Sequence, residues 1–81
     1  MVDINIYSTP SCPYCKQLKK FLKDNDFDFE EFNVAENRDK AEEMVKKSGQ
    51  RGVPVTILEK DGEEQIVVGF DRDKLIEILE I

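Results

Sequence analysis

Histidine is absent from the 81 residues, and cysteine occurs only twice. Without histidine, a Cys–His arrangement of the protease kind is excluded. Two cysteines also fall short of the four ligands that a closed zinc or iron–sulfur site takes. A metal or cluster would need a second copy of the chain or an external thiol. No apolar run approaches the roughly 20 residues that span a bilayer, so no membrane partner is expected. Basic residues number 12 against 18 acidic ones, a formal net charge of −6. Nucleic acid is therefore not expected as a partner, because phosphate binding needs a basic face. The opening Met1-Val2-Asp3-Ile4 lacks the basic stretch of a secretion signal, which predicts a cytoplasmic protein. There, two cysteines point to redox or metal chemistry more than to a structural staple. Repeats, linkers and low-complexity segments are lacking too, and the length predicts one domain, residues 1–81.

What is present is a charged, folding chain. Hydrophobic residues make up 40% and charged residues 37%, a balance that excludes a disordered chain. Val2, Ile4 and Ile6 alternate with Asp3 and Asn5, predicting a first strand that ends near Tyr7 and a loop over Ser8–Ser11. From Pro13 to about Asp24, Tyr14, Leu18, Phe21 and Leu22 form a stripe of helical period, with Lys16, Lys19, Lys20 and Lys23 opposite. That lysine run fits a solvated helix face. Alternatively, Lys16 or Lys19 supports a thiolate or meets an acidic partner. Phe27, Phe29 and Phe32 fit core positions, and Asp28–Val34 predicts a second strand ending near Asn33. Glu36 to Ser48 carries Ala41, Met44 and Val45 at helical spacing, with Gly49 where a C-terminal cap belongs. The acids between Asp24 and Glu43 predict a negative surface with no more specific task. Val53–Leu58 is the third strand, Lys60-Asp61-Gly62 a hairpin turn, and Gln65–Val68 the partner strand. Asp71 is placed to cap a last helix whose Leu75, Ile78 and Leu79 share one face. The order is β-α-β-α-β-β-α. Its first βαβ unit pairs two strands in parallel through a right-handed crossover. The short turn makes the last pair antiparallel, so the fold class is α/β with a mixed sheet.

The chemistry concentrates in Cys12-Pro13-Tyr14-Cys15. A C-x-x-C between the first strand and first helix of a βαβ pattern reads as a dithiol–disulfide site. Cys12 falls at the helix cap and Cys15 one turn in, with Pro13 at the first helical position, where a missing N–H is harmless. Residues three apart on a helix are close enough to bridge with little backbone movement. Unpaired N–H groups and the macrodipole favour an anion at the helix start, which makes Cys12 the attacking nucleophile. Cys15, further inside, is the resolving thiol. With no histidine to serve as a base, activation falls to the dipole, backbone N–H groups and Lys16. A purely structural disulfide is disfavoured, because so short a loop restrains the unfolded chain little. Pro54 is a second candidate. It either starts the third strand or follows a cis bond that sets the Val53 backbone near the dithiol.

These features resemble the glutaredoxin family of the thioredoxin superfamily. The resemblance rests on Cys12-Pro13-Tyr14-Cys15, on Gly49-Gln50-Arg51-Gly52-Val53-Pro54 and on Gly69-Phe70-Asp71, and it extends over essentially the whole chain. It implies a thioredoxin fold, with a four-stranded mixed sheet flanked by three helices, and a cis Pro54. It also implies a disulfide reductase with Cys12 as nucleophile and Cys15 resolving, acting on protein disulfides or glutathione mixed disulfides. Tyr14 and Pro13 belong to its active-site signature. Thr9, Gln50, Arg51, Val53, Pro54, Gly69, Phe70 and Asp71 would line a groove for glutathione or a substrate cysteine. No permanently bound cofactor is implied, and glutathione is the expected reductant. Three positions depart from the family pattern. Thr9 stands where a lysine is common, Gly52 where a threonine is usual, and Val68 where the first of two glycines often stands. Tyr7-Ser8-Thr9-Pro10 and Gly69-Phe70 are more similar to NrdH-type redoxins. Those proteins take electrons from thioredoxin reductase and supply ribonucleotide reductase.

Overall fold

A computed structural model describes residues 2–81. The elements are β1 (Val2–Ser8), α1 (Pro13–Asp24), β2 (Glu30–Asn33), α2 (Arg38–Ser48), β3 (Val55–Lys60), β4 (Glu63–Val68) and α3 (Arg72–Leu79). Their order is the one the sequence predicts. The strands form one mixed sheet in the order β2-β1-β3-β4, with β1 parallel to β2 and antiparallel to β3, and β3 antiparallel to β4.

Alternation along β1 divides the core in two. Ile4 and Ile6 pack with Leu18 and Leu22 of α1, Leu58, Val67, and Leu75 and Leu79 of α3. Tyr7 turns to the other face, where it meets Met44 of α2, Val55 and Ile57. Antiparallel register keeps these sets apart, since Ile4 lies opposite Leu58 and Tyr7 opposite Val55, and directly opposed residues share a face. The sheet is thus covered by α1 and α3 on one side and by α2 on the other.

Four boundaries differ from the sequence expectation, each for a local reason. The second strand is confined to Glu30–Asn33; Phe27 and Phe29 pack against the α1–α3 side of the core before it begins. The second helix starts at Arg38, not Glu36, because Asn37 is its cap, its side-chain oxygen accepting from the Lys40 N–H at 3.1 Å. Just before it, the Asn33 side chain accepts from the Ala35 N–H at 3.0 Å and holds a turn. Third, β3 begins at Val55, not Val53. Pro54 has no N–H to give the ladder, although its carbonyl accepts from Gly69 N–H at 2.8 Å. Fourth, the hairpin is longer than expected, with Lys60 paired to Glu63. Asp61 and Gly62 alone make the turn, at φ 54° and 80°. Positive φ at both central residues is the mirror-image turn that fits strand twist, and Asp-Gly is a favoured pair for it.

Candidate active site

The site is built at the head of α1. Cys12 is the N-cap residue, extended at φ −87° and ψ 112°, and Pro13 opens the helix. Its sulfur takes the place of the usual cap oxygen and accepts from the Cys15 backbone N–H at 3.2 Å. On its other side the Cys12 thiol donates to the Val53 carbonyl at 3.8 Å. The Cys12 N–H is held by the Thr9 carbonyl at 3.3 Å. Both cysteines are free thiols. Cys12 is 8% exposed and Cys15 1%, so an incoming disulfide reaches Cys12 first.

Electrostatics reinforces that asymmetry. Burial pushes the Cys15 thiol up to about 12; the hydrogen bond with Cys12 and the Cys12 and Glu31 charges add to the rise, while the Thr9 backbone opposes it. A thiol so placed stays protonated at neutral pH and attacks only once the reaction supplies an electrophile beside it.

The Val53–Pro54 bond is cis, which matches the implication of the family resemblance. Pro54 is buried, and the Gly69 N–H on its carbonyl brings the Gly69–Asp71 turn beside it. Gly69 has φ 75°, a conformation glycine adopts without penalty. The structure therefore gathers Thr9, Cys12, Cys15, Val53, Pro54 and Gly69 around one point. Tyr14 stands beside them, 60% exposed.

The remaining candidates have other surroundings. Gln50 and Arg51 are exposed on the loop that precedes Val53, with Gln50 N–H held by the Ser48 hydroxyl at 3.1 Å. The Phe70 ring packs edge-on against Phe21 of α1, centroids 5.9 Å apart. Asp71 caps α3, its side chain accepting from the Lys74 N–H at 3.1 Å. Lys16 is exposed and forms no ion pair among the described residues. Lys19 is not part of a solvated face: it meets Glu31 at 2.9 Å, with both side chains about one-third exposed. Glu31 in turn accepts from the buried Ser8 hydroxyl at 2.7 Å. Neither Ser8 nor Glu31 stood out in the sequence, because only the pairing of β1 with β2 sets them side by side. No group of three or more His, Cys, Asp or Glu that could hold a metal occurs among the described residues. No helix is long and apolar enough to cross a membrane.

Comparison with known proteins adds a family to this geometry. The glutaredoxin family model matches residues 4–63. An uncharacterised glutaredoxin-like protein of the rubredoxin operon of Clostridium pasteurianum is 49% identical over 77 residues, covering 91% of this chain and 97% of that one. Glutaredoxin 3 of Escherichia coli is 39% identical over 54 residues, 67% of this chain and 65% of that protein. Among solved structures, NrdH-redoxin from Escherichia coli, a glutaredoxin-like protein with a thioredoxin-like activity profile, superposes with a TM-score of 0.78. It is 30% identical and the match covers 94% of this chain and 93% of that one.

Proposed function

The chain belongs to the glutaredoxin family, and from that premise we propose that it reduces protein disulfides or glutathione mixed disulfides through Cys12. The observation that carries this reading is the placement of the Cys12 sulfur at the cap of α1, on the Cys15 N–H. In the first step the Cys12 thiolate attacks one sulfur of the substrate disulfide. A Cys12–S–R mixed disulfide forms, and the other substrate sulfur leaves as a thiolate that takes up a proton. In the second step Cys15 gives up its proton and attacks the Cys12 sulfur. The Cys12–Cys15 disulfide forms as R–S⁻ departs with the electron pair. The substrate has gained two electrons, and two molecules of glutathione return the protein to the dithiol. A cytoplasmic setting belongs to the same reading, since a dithiol reductant is recharged where the surroundings keep thiols reduced.

The test is a pair of substitutions. Cys12→Ser is expected to abolish turnover, whereas Cys15→Ser retains the first attack and traps a mixed disulfide visible by intact-protein mass. Disulfide reductase activity surviving in Cys12→Ser would sink the role assignment.

A second reading keeps the chemistry and changes the electron source to thioredoxin reductase, with ribonucleotide reductase as recipient. It is favoured by Thr9 in the position where glutaredoxins commonly carry lysine, and by the likeness to NrdH-redoxin. Parallel assays separate the two. One couples the protein to glutathione and its reductase, the other to thioredoxin reductase. NADPH consumption in the first alone supports the leading reading, and in the second alone the other.

A further inference from the structure

The chain has four glycines, and three are set by backbone conformation. Gly49, Gly62 and Gly69 have φ of 70°, 80° and 75°, in the left-handed region where a side chain is strained. Gly52 lies outside that region, so its backbone does not call for glycine. Packing does not call for it either, since a Cβ at Gly52 would meet nothing within 4 Å. A glycine also loses more backbone freedom on folding than a residue with a side chain. Neither conformation nor crowding within the chain accounts for it.

The surroundings of Gly52 supply a reason. It directly precedes Val53, whose carbonyl accepts from the Cys12 thiol at 3.8 Å, and it is exposed beside Gln50 and Arg51. The backbone on both sides is fastened. Gln50 N–H is held by the Ser48 hydroxyl at 3.1 Å, and the Pro54 carbonyl by the Gly69 N–H at 2.8 Å. Between them, the N–H groups of Arg51, Gly52 and Val53 and the carbonyls of Arg51 and Gly52 have no hydrogen-bond partner among the described residues. A strip of unpaired donors and acceptors therefore leads up to the Cys12 sulfur. An extended peptide can pair with such groups, and glycine lets a second backbone come close. A small disulfide without peptide groups has nothing to pair with them. We propose that Gly52 determines the class of substrate: its missing side chain keeps the approach to Val53 open for the extended polypeptide that flanks a protein disulfide. The inference rests on the reading of Cys12 as the nucleophile, and it narrows the substrate to a disulfide carried on an accessible, extended segment of protein.

The test compares two substrates in single turnovers. Full-length reduced protein is mixed with insulin or with 2-hydroxyethyl disulfide and quenched in acid at intervals. Loss of the Cys12 and Cys15 thiols is followed by intact mass after alkylation. The quantity read is the ratio of the insulin rate to the small-disulfide rate. That ratio should fall about tenfold in Gly52→Val, and by less in Gly52→Ala, because the added side chain obstructs the larger substrate selectively. Urea midpoints of both variants should match or exceed wild type, since a side chain restricts the unfolded chain. An unchanged ratio in Gly52→Val overturns the proposal, as does a ratio that falls only together with the urea midpoint. If Gly52→Val fails to fold, Gly52→Ala decides alone, and an unchanged ratio there overturns it. Thiol loss with the small disulfide that persists in Cys12→Ser overturns the assignment of the nucleophile instead, whatever residue stands at position 52.

Discussion

At the scale of single residues, the site depends on contrasts in burial and partnership. Cys12 has two partners and a little exposure; Cys15 has almost none of the latter. Thr56 makes a different contrast. It lies in β3 opposite Ile6 and Val67 and is fully buried. Its hydroxyl finds no hydrogen-bond partner among the described residues. A buried polar group without a partner forfeits its hydration with nothing in return. Thr56→Val removes that group at nearly constant shape, and should raise stability by about 1 kcal/mol. A urea titration of the reduced protein checks this; a lower midpoint would mean that the hydroxyl is satisfied. The same scale explains what could be read from sequence. Cys12, Cys15 and Pro13 depend on three-residue spacing at a helix start, and local spacing is visible in a string of letters. Glu31 is 23 residues from Ser8. Its partners are set by strand register, which no local pattern displays, so it looked like one acid among many.

At the scale of elements, strong periodicity located helices better than strands. The stripe of Tyr14, Leu18, Phe21 and Leu22 defined α1 over Pro13–Asp24, although Tyr14 in its first turn stands exposed and not in the core, and Asp71 capped α3 as its residue type predicts. Strand ends were less visible because their limits come from neighbours. Pairing with β3 extends β4 back to Glu63, although Glu63 and Glu64 carry no apolar signal of their own. The turn before α3 joins fold to site. Phe70 fastens it to α1 through Phe21, and Asp71 both caps α3 and is a candidate groove residue. Substitution separates those two tasks. Asp71→Asn retains a cap acceptor, whereas Asp71→Ala should lower stability by about 1 kcal/mol. If the carboxylate also binds glutathione or a substrate segment, Asp71→Asn will raise KM while thermal unfolding stays near wild type. If capping is its whole contribution, Asp71→Asn will match wild type in both measurements.

At the scale of the molecule, a dithiol protein must remain folded in both redox states, and its stability should respond to closure and to pH in a defined way. The loop from Cys12 to Cys15 is so short that closing it removes little entropy from the unfolded chain, on the order of 2 kcal/mol in the loop-entropy picture. Near pH 7 the disulfide form should therefore exceed the dithiol form in stability by no more than about that amount. Alkaline pH should widen the gap. In the folded dithiol Cys15 holds its proton up to about 12, above the ordinary thiol value of 9.0. Between those limits the unfolded chain releases the proton while the folded chain keeps it, so stability falls as pH rises. Below the ordinary value this contribution is fully present, and above about 12 it is gone. The disulfide form has no Cys15 proton to lose, while lysines and tyrosines titrate in both forms and largely cancel in the difference. Paired urea titrations of the two forms at intervals from pH 7 upward measure that difference. It should be nearly flat to pH 9 and grow beyond it, and the reduced Cys15→Ser variant, titrated alone, should lack the Cys15 share of the alkaline fall in stability. A gap that stays constant through the alkaline range would mean that Cys15 is no more reluctant to ionise in the fold than in the open chain. The protection of the resolving thiol, on which the asymmetry of the pair depends, would then be absent.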